Sequence, residues 1–193
     1  MQTRTLPFPS IPFIYVYIPL TPHPFTPRVV DTLTSGQMPW TIIRPSGFFN
    51  DMTEIFDMAA KGRVWLIGNG AGKFNPIHGD DLADFIVQKL EDEGAAGKHF
   101  PVGGPELLTQ RQVGELAFAA LNATPKINTT PKCLVPLAAK VVMPFNKNLG
   151  SFLAMLGLLG SGEDTVAPQT GVHRLGDFFR EYLASNESLK ANR

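Results

Sequence analysis

Three glycines and a lysine, Gly68, Gly70, Gly72 and Lys73, stand in the run RVWLIGNGAGKFNPI from Arg63 to Ile77. Such a loop could bring backbone N–H groups onto a phosphate, with the lysine reaching for the outer oxygens. The spacing fails that chemistry at both ends. A phosphate loop of the G-x-x-x-x-G-K-[ST] type needs glycine where Ile67 stands and a hydroxyl where Phe74 stands. A dinucleotide fingerprint G-x-G-x-x-G needs glycine at Lys73 and a helix behind it, and Pro76 disfavours a helical Asn75. The run reads instead as a hairpin. Val64–Ile67 is the first strand, Asn69-Gly70 the turn, and Lys73–Ile77 the returning strand.

The other chemistry-bearing residues are sparse. None of the four histidines, His23, His78, His99 and His173, has metal-ligand spacing to a second histidine or to Cys133, so no metal is assigned. There is no G-x-S-x-G nucleophile elbow. His78 beside Asp80 and Asp81 offers an acid/base cluster. The same residues also read as a helix start, where acids in the first turn are ordinary, and that reading weighs more. No catalytic residue is assigned. WTIIRPSGFFNDM, Trp40 to Met52, is more informative: a buried strand ends in R-P-S-G and aromatics follow beside a helix start. In open α/β sheets ligands lie beyond the carboxyl ends of strands. Phe48, Phe49, Met52 and Phe56 either line a flat apolar pocket there or fill the core.

The elements that must position these residues alternate. A short helix around Val29–Leu33 closes at Ser35-Gly36. The strand from Trp40 follows, then a helix capped by Asn50 or Asp51 that runs to Lys61 and stops at Gly62. A helix from Asp80 carries Leu82, Phe85, Ile86 and Leu90 at helical period, and Lys98–Val102 is a strand. Thr109 with Gln112 forms a capping box for the next helix. CLVPLAAKVVMPF and NLGSFLAMLGLLGSG suggest an apolar helical layer, and Leu175–Leu183 closes the chain as an amphipathic helix. This is an α/β pattern.

With 193 residues, 17 basic and 17 acidic side chains and one cysteine, the chain fits one domain. It carries no nucleic-acid footprint and no internal disulfide, and it is too interrupted for a membrane span. The cytoplasm is the expected compartment. Residues 1–27 hold seven of the 17 prolines and no acid. They are expected to be irregular and foreign to the fold, with residues 28–185 forming a partial domain and 186–193 a tail.

The order IIRPSGFFNDM, NPIHGDDLADFI, GKHFPVGGPELLTQRQVGELAF and APQTGVHRLGDFFREYL resembles the C-terminal half of atypical short-chain dehydrogenase/reductases. These are Rossmann-type, NAD(P)-binding proteins that include the NmrA-like group, and the likeness is to the branch containing divinyl chlorophyllide 8-vinyl reductase. The resemblance implies the C-terminal part of a Rossmann-type fold with a small helical substrate cap. It implies NADP or NAD at Pro45, Ser46, Gly47 and Phe48, and substrate at Phe49, Met52, Phe56 and His78. The family's N-terminal glycine-rich half has no counterpart here, and no Y-x-x-x-K pair occurs. The expectation is a truncated relative of a hydride-transferring oxidoreductase on a small apolar or planar substrate, inactive alone and binding NAD(P)H weakly or not at all. Alternatives are a non-catalytic NAD(P)-sensing regulator or assembly factor, or an interaction fragment that self-associates through an exposed sheet edge.

Overall fold

The computed structural model describes residues 14–17, 26–37, 39–131 and 164–186. Its frame is a parallel sheet of three strands in the order β1 (Ile14–Tyr17), β2 (Trp40–Pro45), β5 (Lys98–Val102). Between β1 and β2 runs α1 (Thr26–Thr34), so the first three elements form a β-α-β unit. Ile14 is level with Trp40 and Tyr17 with Ile43, while Thr41 is level with Lys98 and Pro45 with Val102. Thr41, Ile42 and Ile43 are buried, as a β-branched run at the centre of a parallel sheet should be.

Within the leader, Ile14–Tyr17 pairs with β2 and Thr26-Pro27 opens α1, where irregular chain was expected. Pro12 and Pro19 lie outside the run Ile14–Tyr17, so the ladder loses no donor to them, and α1 starts at Thr26, with Pro27 in its first turn, where proline is tolerated.

The remaining elements are α2 (Thr53–Ala60), entered through a 3-10 turn at Asn50–Met52, β3 (Val64–Ile67), β4 (Lys73–Phe74), α3 (Gly79–Glu91), β6 (Leu108–Thr109), α4 (Gln110–Ala120), β7 (Ile127–Thr130) and α5 (Leu175–Ser185). The hairpin does not form. β3 pairs in parallel with β7, and β4 pairs antiparallel with β6. Asn69 turns back on itself, its side chain accepting from Ala71 N–H, and Gly68 and Gly70 carry the positive φ values. The local turn preference was real, but the strand partners lie further along the chain. The apolar segments from Cys133 to Gly162 lie outside the described residues.

Two cores result. Ile43, Ile77, Leu82 and Val102 join α3 to the sheet, with Phe48, Phe85 and Ile86 packed against them. A larger core of Phe49, Phe56, Ala59, Val64, Val113, Ala117, Phe118, Leu175 and Phe179 joins α2, α4, α5 and β3. The capping box opens α4 as expected: Thr109 N–H donates to Gln112 Oε1 at 2.8 Å, and Gln112 N–H to Thr109 Oγ1 at 3.2 Å. Neither Asn50 nor Asp51 caps α2 through its side chain; Asn50 instead accepts from Thr53 Oγ1 through its carbonyl. Gly62 ends that helix region at φ 88°, as glycine should.

Candidate functional site

Beyond Pro45 the chain stays extended and is stitched to residues 75–77. Ile77 N–H donates to Gly47 O at 2.9 Å and Phe49 N–H to Ile77 O at 3.2 Å. The Ser46 hydroxyl donates to the Asn75 carbonyl, and Ser46 N–H reaches Val102 O at 3.0 Å. Asn75 is fully buried and ties three segments together. Its Nδ2 donates to Gly104 O and Ala167 O at 3.2 and 2.9 Å, and its Oδ1 accepts from Ala167 N–H at 3.0 Å. Gly103 and Gly104 permit this approach. A Cβ at Gly103 would lie 2.2 Å from Asn75 Nδ2, and one at Gly104 would lie 2.0 Å from Pro76 O.

The next residue, His78, caps α3: its Nδ1 accepts Asp80 N–H at 3.2 Å. One turn in, Asp81 points the other way. Its side chain is 4 % exposed and accepts from Val172 N–H, His173 N–H and His173 Nδ1, the last at 2.7 Å. Burial by itself would push this carboxyl up, but the His173 ring and the two backbone N–H groups together hold it below the ordinary range. The same contact is the largest influence on His173, raising it against the opposing effect of burial, and the charges of Asp81, Asp80 and Glu181 add to the rise. His173 also stacks on His78, with ring centroids 4.4 Å apart and planes at 24°.

An open cleft of about 270 Å³ lies over this pair, lined by His78, His173, Arg174, Asp177, Phe178 and Glu181, with Val172 at its rim. Phe49 forms the floor behind it, 5.6 Å from the His78 ring and 5.5 Å from Phe178. The cleft therefore sits just past the carboxyl end of β2, where doubly wound sheets keep their ligands.

The sequence-predicted residues divide. His78 lines the cleft and Phe49 backs it while 2 % exposed. Phe56 does not face a pocket: it is fully buried against Phe179 and Tyr182, at 5.0 and 5.5 Å, and fills the core. Met52 packs against the same core, and Phe48 against the α3 side. Pro45 is buried in the sheet, while Ser46 and Gly47 adjoin it in the extended segment. His173, Phe178 and Asn75 were not singled out as site residues, and Asp81, offered beside His78 and Asp80 as an acid/base cluster, was weighed as part of a helix start. Asp81 and His173 are 92 positions apart, and nothing in the spacing of either announces the other.

His78, Asp80 and His173 also bring possible ligand atoms within 4.8 Å of one another. An ion would have to lie in the plane of each imidazole, and two stacked rings 24° from parallel do not point their nitrogens at one ion. His173 Nδ1 is in addition committed to Asp81. The pyrophosphate of a dinucleotide finds no holder here either. The bonds made by Ser46, Gly47 and Phe49 run to Asn75, Ile77 and Val102, and no G-x-G-x-x-G sequence opening a helix occurs in the chain to hold a pyrophosphate. Among the described residues no helix is long and apolar enough to cross a membrane.

No protein-family model matches the chain. It is 29 % identical over 174 residues to the chloroplastic divinyl chlorophyllide a 8-vinyl-reductase of Oryza sativa subsp. indica, covering 77 % of this chain and 43 % of the relative. It is 31 % identical over 110 residues to the mitochondrial NADH dehydrogenase [ubiquinone] 1 alpha subcomplex subunit 9 of Arabidopsis thaliana, covering 54 % of this chain and 27 % of that protein. The chain thus spans less than half the length of these curated relatives. In fold it is similar to the NADPH-dependent quinone oxidoreductase of Escherichia coli solved with NADPH. The TM-score is 0.68 at 16 % identity, covering 89 % of this chain and 65 % of that one. It is also similar to a nucleoside-diphosphate-sugar epimerase of Staphylococcus aureus, with TM-score 0.62, 13 % identity and coverage of 87 % and 64 %. Parallel strands and these likenesses agree: the chain carries part of a Rossmann-like α/β fold of the kind seen in NAD(P)-dependent reductases and epimerases, and in sequence it resembles the divinyl chlorophyllide 8-vinyl-reductases.

Proposed function

We propose that this chain is the substrate side of an NAD(P)-dependent oxidoreductase acting on a small apolar or planar substrate, and that it does not hold the cofactor by itself. The observation that carries the reading is the position of the His78–His173–Phe178 cleft past the carboxyl end of β2, with Phe49 shared between the two. When bound, a nicotinamide cofactor supplies the hydride, and the protein supplies position and surroundings. In this reading the nicotinamide end lies along Pro45–Phe48, and the substrate lies in the cleft. The quinone oxidoreductase and chlorophyllide reductase likenesses support a flat substrate. The lone cysteine supports a reducing compartment, and the cytoplasm is part of the proposal; the plant relatives are named as chloroplastic or mitochondrial, and fractionation with compartment markers decides the point.

The test has two arms. NADPH titrated into the purified chain should give no saturable binding in the low micromolar range. Adding the separately expressed part of the rice relative that this chain does not match should then give menadione-dependent NADPH oxidation. Tight NADPH binding by the chain alone would overturn the first arm, and an assembled pair that binds NADPH without any turnover would overturn the enzymatic reading.

That last outcome would favour a second reading, a non-catalytic NAD(P)-sensing or assembly role. The likenesses to the Arabidopsis NADH dehydrogenase subunit and to the 40 kDa NADH-ubiquinone oxidoreductase subunit of Neurospora crassa support it. Its signature would be stable co-purification with a larger protein assembly.

A further inference from the structure

We propose that Asn69 is a site of covalent modification in the folded protein: the Gly70 nitrogen closes on the Asn69 side-chain amide, ammonia leaves, and the residue becomes aspartate or isoaspartate. Asn69-Gly70 matches no phosphate-loop spacing and does not make the expected hairpin, and it is the one Asn-Gly pair in the chain. Water is the co-reactant, and neither a cofactor nor the His78–His173 cleft takes part.

The chemistry needs an electrophilic amide, an adjacent nitrogen that can reach it, and access for water. The Gly70 nitrogen gives up its proton to base and attacks Asn69 Cγ, closing a five-membered ring within one dipeptide. The bond from Cγ to the side-chain nitrogen then breaks, and that nitrogen takes a proton and leaves as ammonia. Water opens the cyclic imide at one of its two carbonyls. Opening at Cγ gives aspartate, and opening at the main-chain carbonyl gives isoaspartate. The balance is one water in and one ammonia out, with no oxidant or reductant.

Asn69 meets each requirement. Its side chain is exposed, so water and base reach it. Its Oδ1 accepts the Ala71 N–H at 3.1 Å, which polarises the amide and keeps a donor on the oxygen that gains charge during attack. Gly70 has no side chain to obstruct the approach, and none would fit: its φ is 64°, and a Cβ would lie 2.6 Å from Leu66 Cδ1. The other described asparagines each lack something. Asn75 is buried and precedes Pro76, whose nitrogen has no proton to lose. After Asn122, the Ala123 N–H is taken by Phe118 O at 3.0 Å. Asn50, Asn128 and Asn186 are followed by Asp, Thr and Glu rather than by glycine.

The two products differ in their effect. Gly70 O accepts the Arg111 N–H at 3.2 Å in the first turn of α4. Aspartate leaves the main chain as it was and adds one negative charge next to the residue bonded at that positive helix end. Isoaspartate routes the main chain through the former side chain and moves Gly70 O away from Arg111.

The purified full chain is held at two pH values, sampled over days, and digested with trypsin, which releases residues 64–73 with Asn69 as their one asparagine. That peptide should gain about one dalton and split into an aspartyl and an isoaspartyl product. Conversion should be about tenfold or more faster at about pH 9 than at about pH 7.5, because the attacking nitrogen must first lose its proton. The folded chain should convert at no less than about a tenth of the rate of a synthetic peptide of the same residues, the loop needing little opening. Asn69→Gln should end the mass gain, because its amide would have to close a six-membered ring. Amide exchange at Arg111 should speed up in the isoaspartyl material and stay as it was in Asn69→Asp. A folded chain slower than that fraction of the peptide rate, a rate that ignores pH, or a mass gain that persists in Asn69→Gln would each overturn the proposal. Equal Arg111 exchange in all forms would overturn the link to α4.

Discussion

The Asp81 carboxylate meets His173 Nδ1 at 2.7 Å across 92 residues of chain, and the same carboxylate takes the N–H groups of Val172 and His173. One buried side chain therefore fixes the segment that enters α5 and one wall of the cleft.

This pair sets a pH window for stability. His173 is raised in the folded protein, so its contribution is complete below the ordinary imidazole value and is lost as pH rises through the raised one. Asp81 is lowered, so its contribution is complete above the ordinary carboxylate value and is lost as pH falls through the lowered one. Urea midpoints should be highest between about pH 4 and pH 6.5 and decline on both sides. Asp81→Asn should lower the maximum and flatten both limbs. An unchanged profile in that variant would show that the pair is not the cause.

Gly171 should tolerate no side chain. Its φ is 85°, and a Cβ would lie 2.2 Å from the Asp81 carboxyl carbon. Gly171→Ala should cost about 1–3 kcal/mol from the backbone conformation and more from the displaced latch. In an Asp81→Ala background the second part should vanish, so the two substitutions should be less than additive in a double-mutant cycle.

Asn75→Ala should be among the more damaging polar substitutions. It strands the Ala167 N–H and the Gly104 and Ala167 carbonyls in a buried place, at about 1–3 kcal/mol for each group left unpaired. Asn75→Asp should not rescue it, because it keeps the acceptor for Ala167 but removes both donors. Thermal melts of the two variants check this; near-native stability of Asn75→Asp would refute the assigned bonding.

Phe56→Ala should behave as a core truncation, losing about 3–5 kcal/mol by chemical denaturation. A midpoint close to that of the unaltered protein would return Phe56 to a pocket wall.

Much of the frame was legible because its causes are local. The capping box at Thr109 and Gln112, the β-branched run at Trp40–Ile43 and the glycine stop at Gly62 each act within a few residues. The hairpin was misread for the complementary reason. Asn69-Gly70 is a good turn, but β3 finds its neighbour at Ile127–Thr130 and β4 at Leu108–Thr109, and turn chemistry says nothing of partners that distant. The site was half legible. His78 stood out beside two acids, whereas His173 sits in an undistinguished G-V-H-R run and acquires its role only when Asp81 and the His78 ring close on it. Phe56 shows the converse: spacing put it on the apolar face of α2 but could not say whether that face met ligand or core.

The strand Ile14–Tyr17 bears on how the molecule should be handled. Composition invites deletion of the first 27 residues as an uninformative leader. Such trimming would remove the chain that runs alongside Trp40–Ile43, leaving one flank of β2 without its hydrogen-bonding neighbour. A shortened version made for crystallisation should therefore be stickier than the whole chain, and the leader is best kept.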